Sequence, residues 1–80
     1  MNTYHDVRDR LLVLLEQNDL AIYALSLRSG VPPSTIKNIL YGKSKNPGIV
    51  TIKQLCDGFG ISLHEFFDAP SFYSTEPEDE

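Results

Sequence analysis

A sharp turn between two short segments with helical apolar spacing is the feature that most limits how this 80-residue chain can fold. The turn is the run SGVP at 29–32, in which Gly30 stands where the end of a helix needs a left-handed residue. Val31 is the apolar residue that would fix the turn to a core, and Pro33 suits the first turn of the following helix. The pattern therefore predicts two helices that reverse direction at Gly30. Helices this short persist only when they pack on neighbours.

The rest of the chain also has apolar residues at three- and four-residue steps, which is typical of helices with one buried face. Thr3 and Asp6 resemble a weak capping box, with Thr3 as the N-cap of the first helix. Ser62 and Glu65 form a good capping box for a short last helix. Gly58 stands inside the fourth helix and costs about 1 kcal/mol relative to alanine. We predict an all-α fold with helices at about 6–17, 22–29, 33–41 and 49–59, the last with Ile49 on its buried face, and a fifth helix containing Leu63, Phe66 and Phe67.

Length and charge divide the chain into one domain, 1–69, and an acidic and mostly disordered tail, 70–80. Residues 1–68 carry seven acidic and seven basic side chains, so the net charge of −4 comes entirely from the acids of 76–80. The adjacent aromatic residues Phe72 and Tyr73 are expected either to dock on the domain or to form a dimer contact.

The sequence offers no constellation for catalysis, metal binding or membrane insertion. Cys56 is the single cysteine and has no partner for a disulfide or a zinc site, and on its apolar stripe it is expected to be a core residue. His5 and His64 are expected on the surface. The longest apolar run, 11–15, is far shorter than the ~20 residues that cross a bilayer, and no apolar leader precedes it. We therefore expect a cytoplasmic protein that is not an enzyme and has no cofactor, metal or small-molecule ligand.

The outer face of the second helix of the turn unit, 33–41, is polar. With Ile36 and Ile39 directed inward, the outward side chains are those of Pro33, Ser34, Lys37, Asn38 and Tyr41. An asparagine can bond adenine at two atoms, serine is a permissive reader, and lysine reaches guanine or a phosphate. Lys43 and Lys45 follow in the next loop, where they can neutralise phosphates and fix the register of the helix in the groove. The unit is typical of a helix-turn-helix, and its outer face predicts contact with double-stranded DNA.

The chain resembles the Cro and phage-repressor (XRE) family of helix-turn-helix regulators over about residues 5–68. The resemblance rests on the following motifs: LAIYALSLRSGV at 20–31, Ser34-Thr35-Ile36, Gly42-Lys43, Asn46-Pro47, Thr51-Ile52, Leu55 and FGISLHEFF at 59–67. It implies a compact five-helix, lambda-repressor-like domain. It further implies that Pro33, Ser34, Lys37 and Asn38 face base edges, and that Thr35, Tyr41, Lys43 and Lys45 lie near the DNA backbone.

Two positions depart from the family pattern. Ile22 stands where the family usually has a phosphate-contacting glutamine, and Pro33 cannot donate a hydrogen bond from its backbone. We expect a transcriptional regulator, and specifically a repressor, that acts as a homodimer on DNA. The alternative is a protein-interaction module on the same fold, such as the partner of a toxin or of another regulator. The net acidity and the two departures favour this alternative.

Overall fold

The structure, a computed structural model, describes residues 3–75 and 77, and within them it contains five α-helices and no β-strand. The predicted all-α, five-helix fold is therefore confirmed. The helices are α1 (Thr3–Gln17), α2 (Ile22–Ser29), α3 (Pro33–Leu40), α4 (Ile49–Phe59) and α5 (Leu63–Phe67), and a short 3-10 turn, Pro70–Phe72, follows α5.

One hydrophobic core joins all five α-helices. Its largest fully buried side chains come from each helix in turn: Leu11, Leu25, Ile36, Ile39, Leu55, Cys56 and Phe66. Within the described residues no polar or charged residue is buried. The helices are therefore held together by apolar packing, with side-chain hydrogen bonds at the edges of the core.

The start of α1 differs from the prediction. Thr3 is already helical, so it is not the N-cap expected from its spacing to Asp6, and α1 begins about one turn earlier than the sequence indicated. Tyr4 explains the longer helix, because its side chain is half-buried and hydrogen-bonds to α3. A tertiary contact thus extends α1 beyond what its local pattern specifies.

The start of α4 also differs. Ile49 was expected on the buried face, but 60% of its surface is exposed, and that expectation is wrong. Ile49 is the first residue of α4, and the buried face begins one turn later with Ile52. The neighbouring Val50 is exposed as well.

Gly58 lies where α4 crosses α2 at close range. A Cβ atom added to Gly58 would lie 2.9 Å from the Cβ atom of Ser29 and 3.0 Å from a methyl carbon of Leu25. Real Cβ atoms essentially never approach a non-bonded heavy atom closer than 3.0 Å. The glycine that weakens the helix locally therefore permits the close packing of α2, the first helix of the turn unit, on α4.

A side chain from α1 secures α5. The Arg10 guanidinium donates to the backbone carbonyls of Phe66 (2.7 Å) and Glu65 (2.8 Å), which lie in the last turn of α5. At the other end the Ser62 hydroxyl accepts from the Glu65 backbone N–H at 3.0 Å, as its capping-box spacing predicted. Both ends of this five-residue helix are thus hydrogen-bonded by side chains.

The first part of the predicted tail packs on the domain. The ring centroid of Phe72 lies 5.0 Å from that of Phe67 and 6.5 Å from that of Phe66. Of the two roles expected for the aromatic pair, Phe72 therefore docks on the domain, where it ends the 3-10 turn Pro70–Phe72. Tyr73 is exposed, and its hydroxyl donates to the Asp68 carboxylate, a bond that raises the pKa of Tyr73. The acids at 76 and 78–80 lie outside the described residues.

Candidate nucleic-acid interface

The turn between α2 and α3 is fixed by its own backbone. Gly30 is left-handed (φ 76°), and its N–H donates to the Ser26 carbonyl at 2.9 Å. Val31 is buried, and its N–H donates to the Ser29 hydroxyl at 3.1 Å. The turn therefore holds α3 at a defined angle to α2, in the way that the glycine and valine of the sequence predict.

One face of α3 is bound to the core and the other is open. Ile36, Ile39 and Leu40 are buried, which fixes the rotation of α3 about its axis. The predicted contact residues follow from that rotation: Ser34, Lys37, Asn38 and Tyr41 are exposed, whereas Pro33 and Thr35 are half-buried. The outward face is thus polar and cationic. Tyr41 follows the last residue of α3 and is not part of the helix, which was predicted to extend to 41.

The loop after α3 brings two more predicted contact residues to the end of the helix. The carbonyl of Asn38 accepts from the backbone N–H groups of both Lys43 and Ser44, each at 2.9 Å. Lys43 and Lys45 are exposed. Among residues 3–75 no ion pair engages Lys37, Lys43 or Lys45, so their charges are available to an anionic partner. The arrangement places an amide, three ammonium groups and hydroxyls on and beside the open face of one short helix.

Sequence reasoning missed the contribution of Tyr4. The spacing of Tyr4 to Val7 and Leu11 predicts only a place on the apolar stripe of α1, but its hydroxyl donates to the Ile39 carbonyl of α3 at 2.9 Å. The two residues are 35 positions apart, and no local pattern links them. The only signal in the sequence is chemical, because a half-buried tyrosine hydroxyl usually finds a hydrogen-bond partner.

The other reactive side chains are placed as core and surface residues. Cys56 is fully buried, as predicted, and burial raises the pKa of its thiol, so that it stays protonated near neutral pH. His5 and His64 are exposed, also as predicted. No group of three potential metal ligands occurs among the described residues, and no helix found there is long and apolar enough to cross a bilayer.

The fold and the site together define a helix-turn-helix unit, built on a five-helix domain, whose second helix presents a polar and cationic face. A family model described as the Cro/C1-type HTH DNA-binding domain matches residues 10–71. The chain belongs to this family, and the predicted resemblance is confirmed. It is accordingly a DNA-binding regulator of the phage-repressor kind, and such domains are typically not enzymes.

A solved structure is similar to nearly the whole chain. It is titled "Crystal structure of the prophage Lp1 protein 11", is 35% identical in sequence, and superposes with a TM-score of 0.78. The match covers 90% of this chain and 95% of the prophage protein. No curated protein matches the chain. The similar structure thus supports the fold described above.

Proposed function

We propose that the protein is a sequence-specific repressor that inserts α3 into the major groove of duplex DNA and has no enzymatic activity. The observation that carries the proposal is the division of α3 into two faces. Ile36 and Ile39 fix one face in the core, and Lys37 and Asn38 stand on the open face. A major groove about 12 Å wide accepts a helix presented in this way.

The open face supports a division of contacts. Ser34, Lys37 and Asn38 lie on α3 itself and are proposed to read base edges, with Pro33 in apolar contact beside them. Thr35 and Tyr41, together with Lys43 and Lys45 of the adjoining loop, are proposed to contact the DNA backbone. These backbone contacts would set the register of α3 in the groove without reading sequence. The partly buried Ile22 leaves the start of α2 without the polar side chain that family members usually place there.

A salt titration on random duplex tests DNA binding itself. Each phosphate neutralised by a lysine contributes a slope of about −0.9 to the logarithm of the association constant against the logarithm of salt concentration. We expect a slope that corresponds to several contacts, and a flat response would overturn the proposal. Selection of bound sequences from a random duplex pool then tests specificity, because a backbone-only binder would enrich no common site.

We further propose that the protein binds as a homodimer in the cytoplasm. The eight residues of α3 span about 12 Å, which is enough for only a few base pairs. Two copies on a pseudo-palindrome with half-sites about 34 Å apart would double the sequence that is read. Sedimentation with and without the selected duplex tests this proposal, and one chain per duplex at saturation would refute it.

The size of the domain supports the proposed repressor role. Its longest dimension is 35 Å, so each copy would cover about one turn of DNA and exclude other proteins from that stretch. A reporter promoter that carries the selected site across its start should be silenced when the protein is expressed. Unchanged or increased reporter expression would contradict the repressor role.

The surface of α2 favours a second candidate function, as a protein-interaction module. Tyr23 and Leu27 stand four positions apart on one face of α2 and are 68% and 74% exposed. Such an apolar pair resembles the anchor of a helix-mediated protein contact. The salt titration separates the two candidates, because a protein that binds only another protein would show no salt-dependent affinity for random duplex. Tyr23→Ser with Leu27→Ser should leave DNA binding unchanged if the first candidate is correct.

A further inference from the structure

The carbonyls at the end of α3 accept hydrogen bonds from groups outside the helix. The last four carbonyls of an α-helix have no partner within the helix. At α4 the chain itself supplies one such partner after the left-handed Gly60, because the Gly60 N–H donates to the Asp57 carbonyl at 3.1 Å. After α3 the left-handed residue is Gly42, which follows the C-cap Tyr41. The carbonyl three positions before Gly42, as Asp57 is three positions before Gly60, is that of Ile39.

At Ile39 the donor comes from a different helix. The Tyr4 hydroxyl of α1 donates to this carbonyl at 2.9 Å. The N–H of Lys43, which would reach Ile39 if the helix continued, donates instead to the Asn38 carbonyl. Asn38 and Ile39 are the two residues before Leu40, the last residue of α3. The carbonyl of Asn38 thus holds the following loop, and the carbonyl of Ile39 holds the first turn of α1.

The position of Tyr4 is defined on several sides. The guanidinium carbon of Arg8 lies 5.8 Å from the centroid of the Tyr4 ring. The Tyr4 hydroxyl oxygen would lie 3.5 Å from a Cβ atom added to Gly42, so it rests against the glycine at the end of α3. Tyr4 also lines an open cleft together with Lys45 and Asn46. One side chain of α1 therefore meets both α3 and the loop that bears the cationic residues.

We propose that Tyr4 is a positioning residue for DNA recognition. Its hydroxyl fixes the carboxyl end of α3 and thereby sets where the Asn38 amide and the Lys43 and Lys45 ammonium groups stand relative to the groove. The inference rests on the proposed function, because it concerns how α3 is presented to DNA. Hydrogen bonds to base edges weaken steeply when angles and distances change, so a small displacement of this end reduces binding.

The test compares Tyr4→Phe with Ser62→Ala. Tyr4→Phe keeps the ring and removes only the hydroxyl, whereas Ser62→Ala removes one capping hydrogen bond at α5, outside the helix-turn-helix. For wild type and both variants, affinity for the selected site and for random duplex is measured across a range of salt concentrations. Unfolding by denaturant is measured in parallel, and binding is compared under conditions in which all three proteins are folded.

We expect Tyr4→Phe to remain folded and to bind the selected site about tenfold more weakly, which is the scale of one impaired bidentate base contact. The ratio of the affinity for the selected site to that for random duplex should fall. The magnitude of the salt slope should decrease by up to about 0.9, the value for one phosphate contact. Ser62→Ala should lose stability but keep the affinity, the ratio and the slope of wild type.

Three results would overturn the inference. These are wild-type affinity and slope in Tyr4→Phe, a Tyr4→Phe protein that does not fold, and a loss of affinity in Ser62→Ala equal to that in Tyr4→Phe. Failure of the proposed function has a different signature, because the wild-type protein itself would then show no salt dependence and select no site. Amide exchange gives a further readout, since Lys43 and Ser44 should exchange faster in Tyr4→Phe if the hydroxyl holds this end of α3.

Discussion

Replacing Gly58 with alanine should destabilise the protein, although alanine is the better helix former. Helix propensity alone favours Gly58→Ala by about 1 kcal/mol. The new Cβ atom, however, would meet the Cβ atom of Ser29 at 2.9 Å and its Cα atom at 3.2 Å. A side-chain rotation cannot relieve contacts with these two atoms, because neither moves with χ1, so α2 and α4 must separate.

Overpacking of this kind typically costs about 1–3 kcal/mol, which leaves a net loss of up to about 2 kcal/mol after the gain in propensity. In a domain of this size each kcal/mol lowers the melting temperature by about 4–8 °C. Thermal and urea unfolding followed by circular dichroism measure both quantities. Because α2 carries the turn that orients α3, affinity for DNA should fall together with stability.

Gly48→Ala is the matched control. Gly48 precedes α4, has a negative φ of −67°, and has no atom within 4 Å of an added Cβ. Its replacement should change stability by less than about 1 kcal/mol, as expected for a glycine at a compatible position. A double-mutant cycle with Ser29→Gly adds a second control, since removing the opposing Cβ should partly rescue Gly58→Ala. A Gly58→Ala protein as stable as wild type or more stable would refute the close-packing argument.

Four further predictions concern the interface, the buried thiol and the tail. Asn38→Ala should reduce the free energy of binding to the selected site by about 1–3 kcal/mol and relax discrimination at one base position in a competition assay. An equal loss of affinity on every sequence would instead mean that Asn38 contacts the DNA backbone. Lys43→Ala or Lys45→Ala should each reduce the salt slope by about one unit and leave the ranking of sequences intact; a changed ranking would contradict a phosphate contact. Burial raises the pKa of Cys56 above its ordinary 9.0, so the folded state binds the thiol proton more tightly than the unfolded state does. The resulting stabilisation is present below about pH 9 and is lost as pH rises through the folded-state pKa, so the free energy of unfolding should fall above pH 9 relative to that of Cys56→Ala. Parallel pH profiles of the two proteins would exclude this role. Deletion of 76–80 removes four negative charges and should tighten binding to random duplex, most clearly at low salt, with little change in melting temperature; unchanged binding at low salt would mean that the acids do not repel DNA.

The sequence by itself determined the features that depend on neighbours within about one helical turn. Apolar spacing specified five helices and the buried face of α3, and therefore also its open face with Lys37 and Asn38. Gly30 specified the reversal before α3, because its left-handed backbone is accessible to few other residues. The Ser62 cap was equally visible, since its acceptor and the donor of Glu65 are three positions apart. These features were predictable because their physical causes are local in the chain.

Only the tertiary structure decided which distant groups meet. The Tyr4 hydroxyl reaches a carbonyl 35 positions away, and Arg10 reaches carbonyls 55 and 56 positions away. The sequence marks Gly58 as a weak point of a helix, and only the crossing of α2 and α4 shows that a side chain there would collide with Ser29. For Phe72 the sequence left docking on the domain and a dimer contact open, and only the structure places its ring against that of Phe67. In each case the stabilising contact depends on how the helices pack, and the periodicity of one segment carries no information about the residue that will lie opposite it in another.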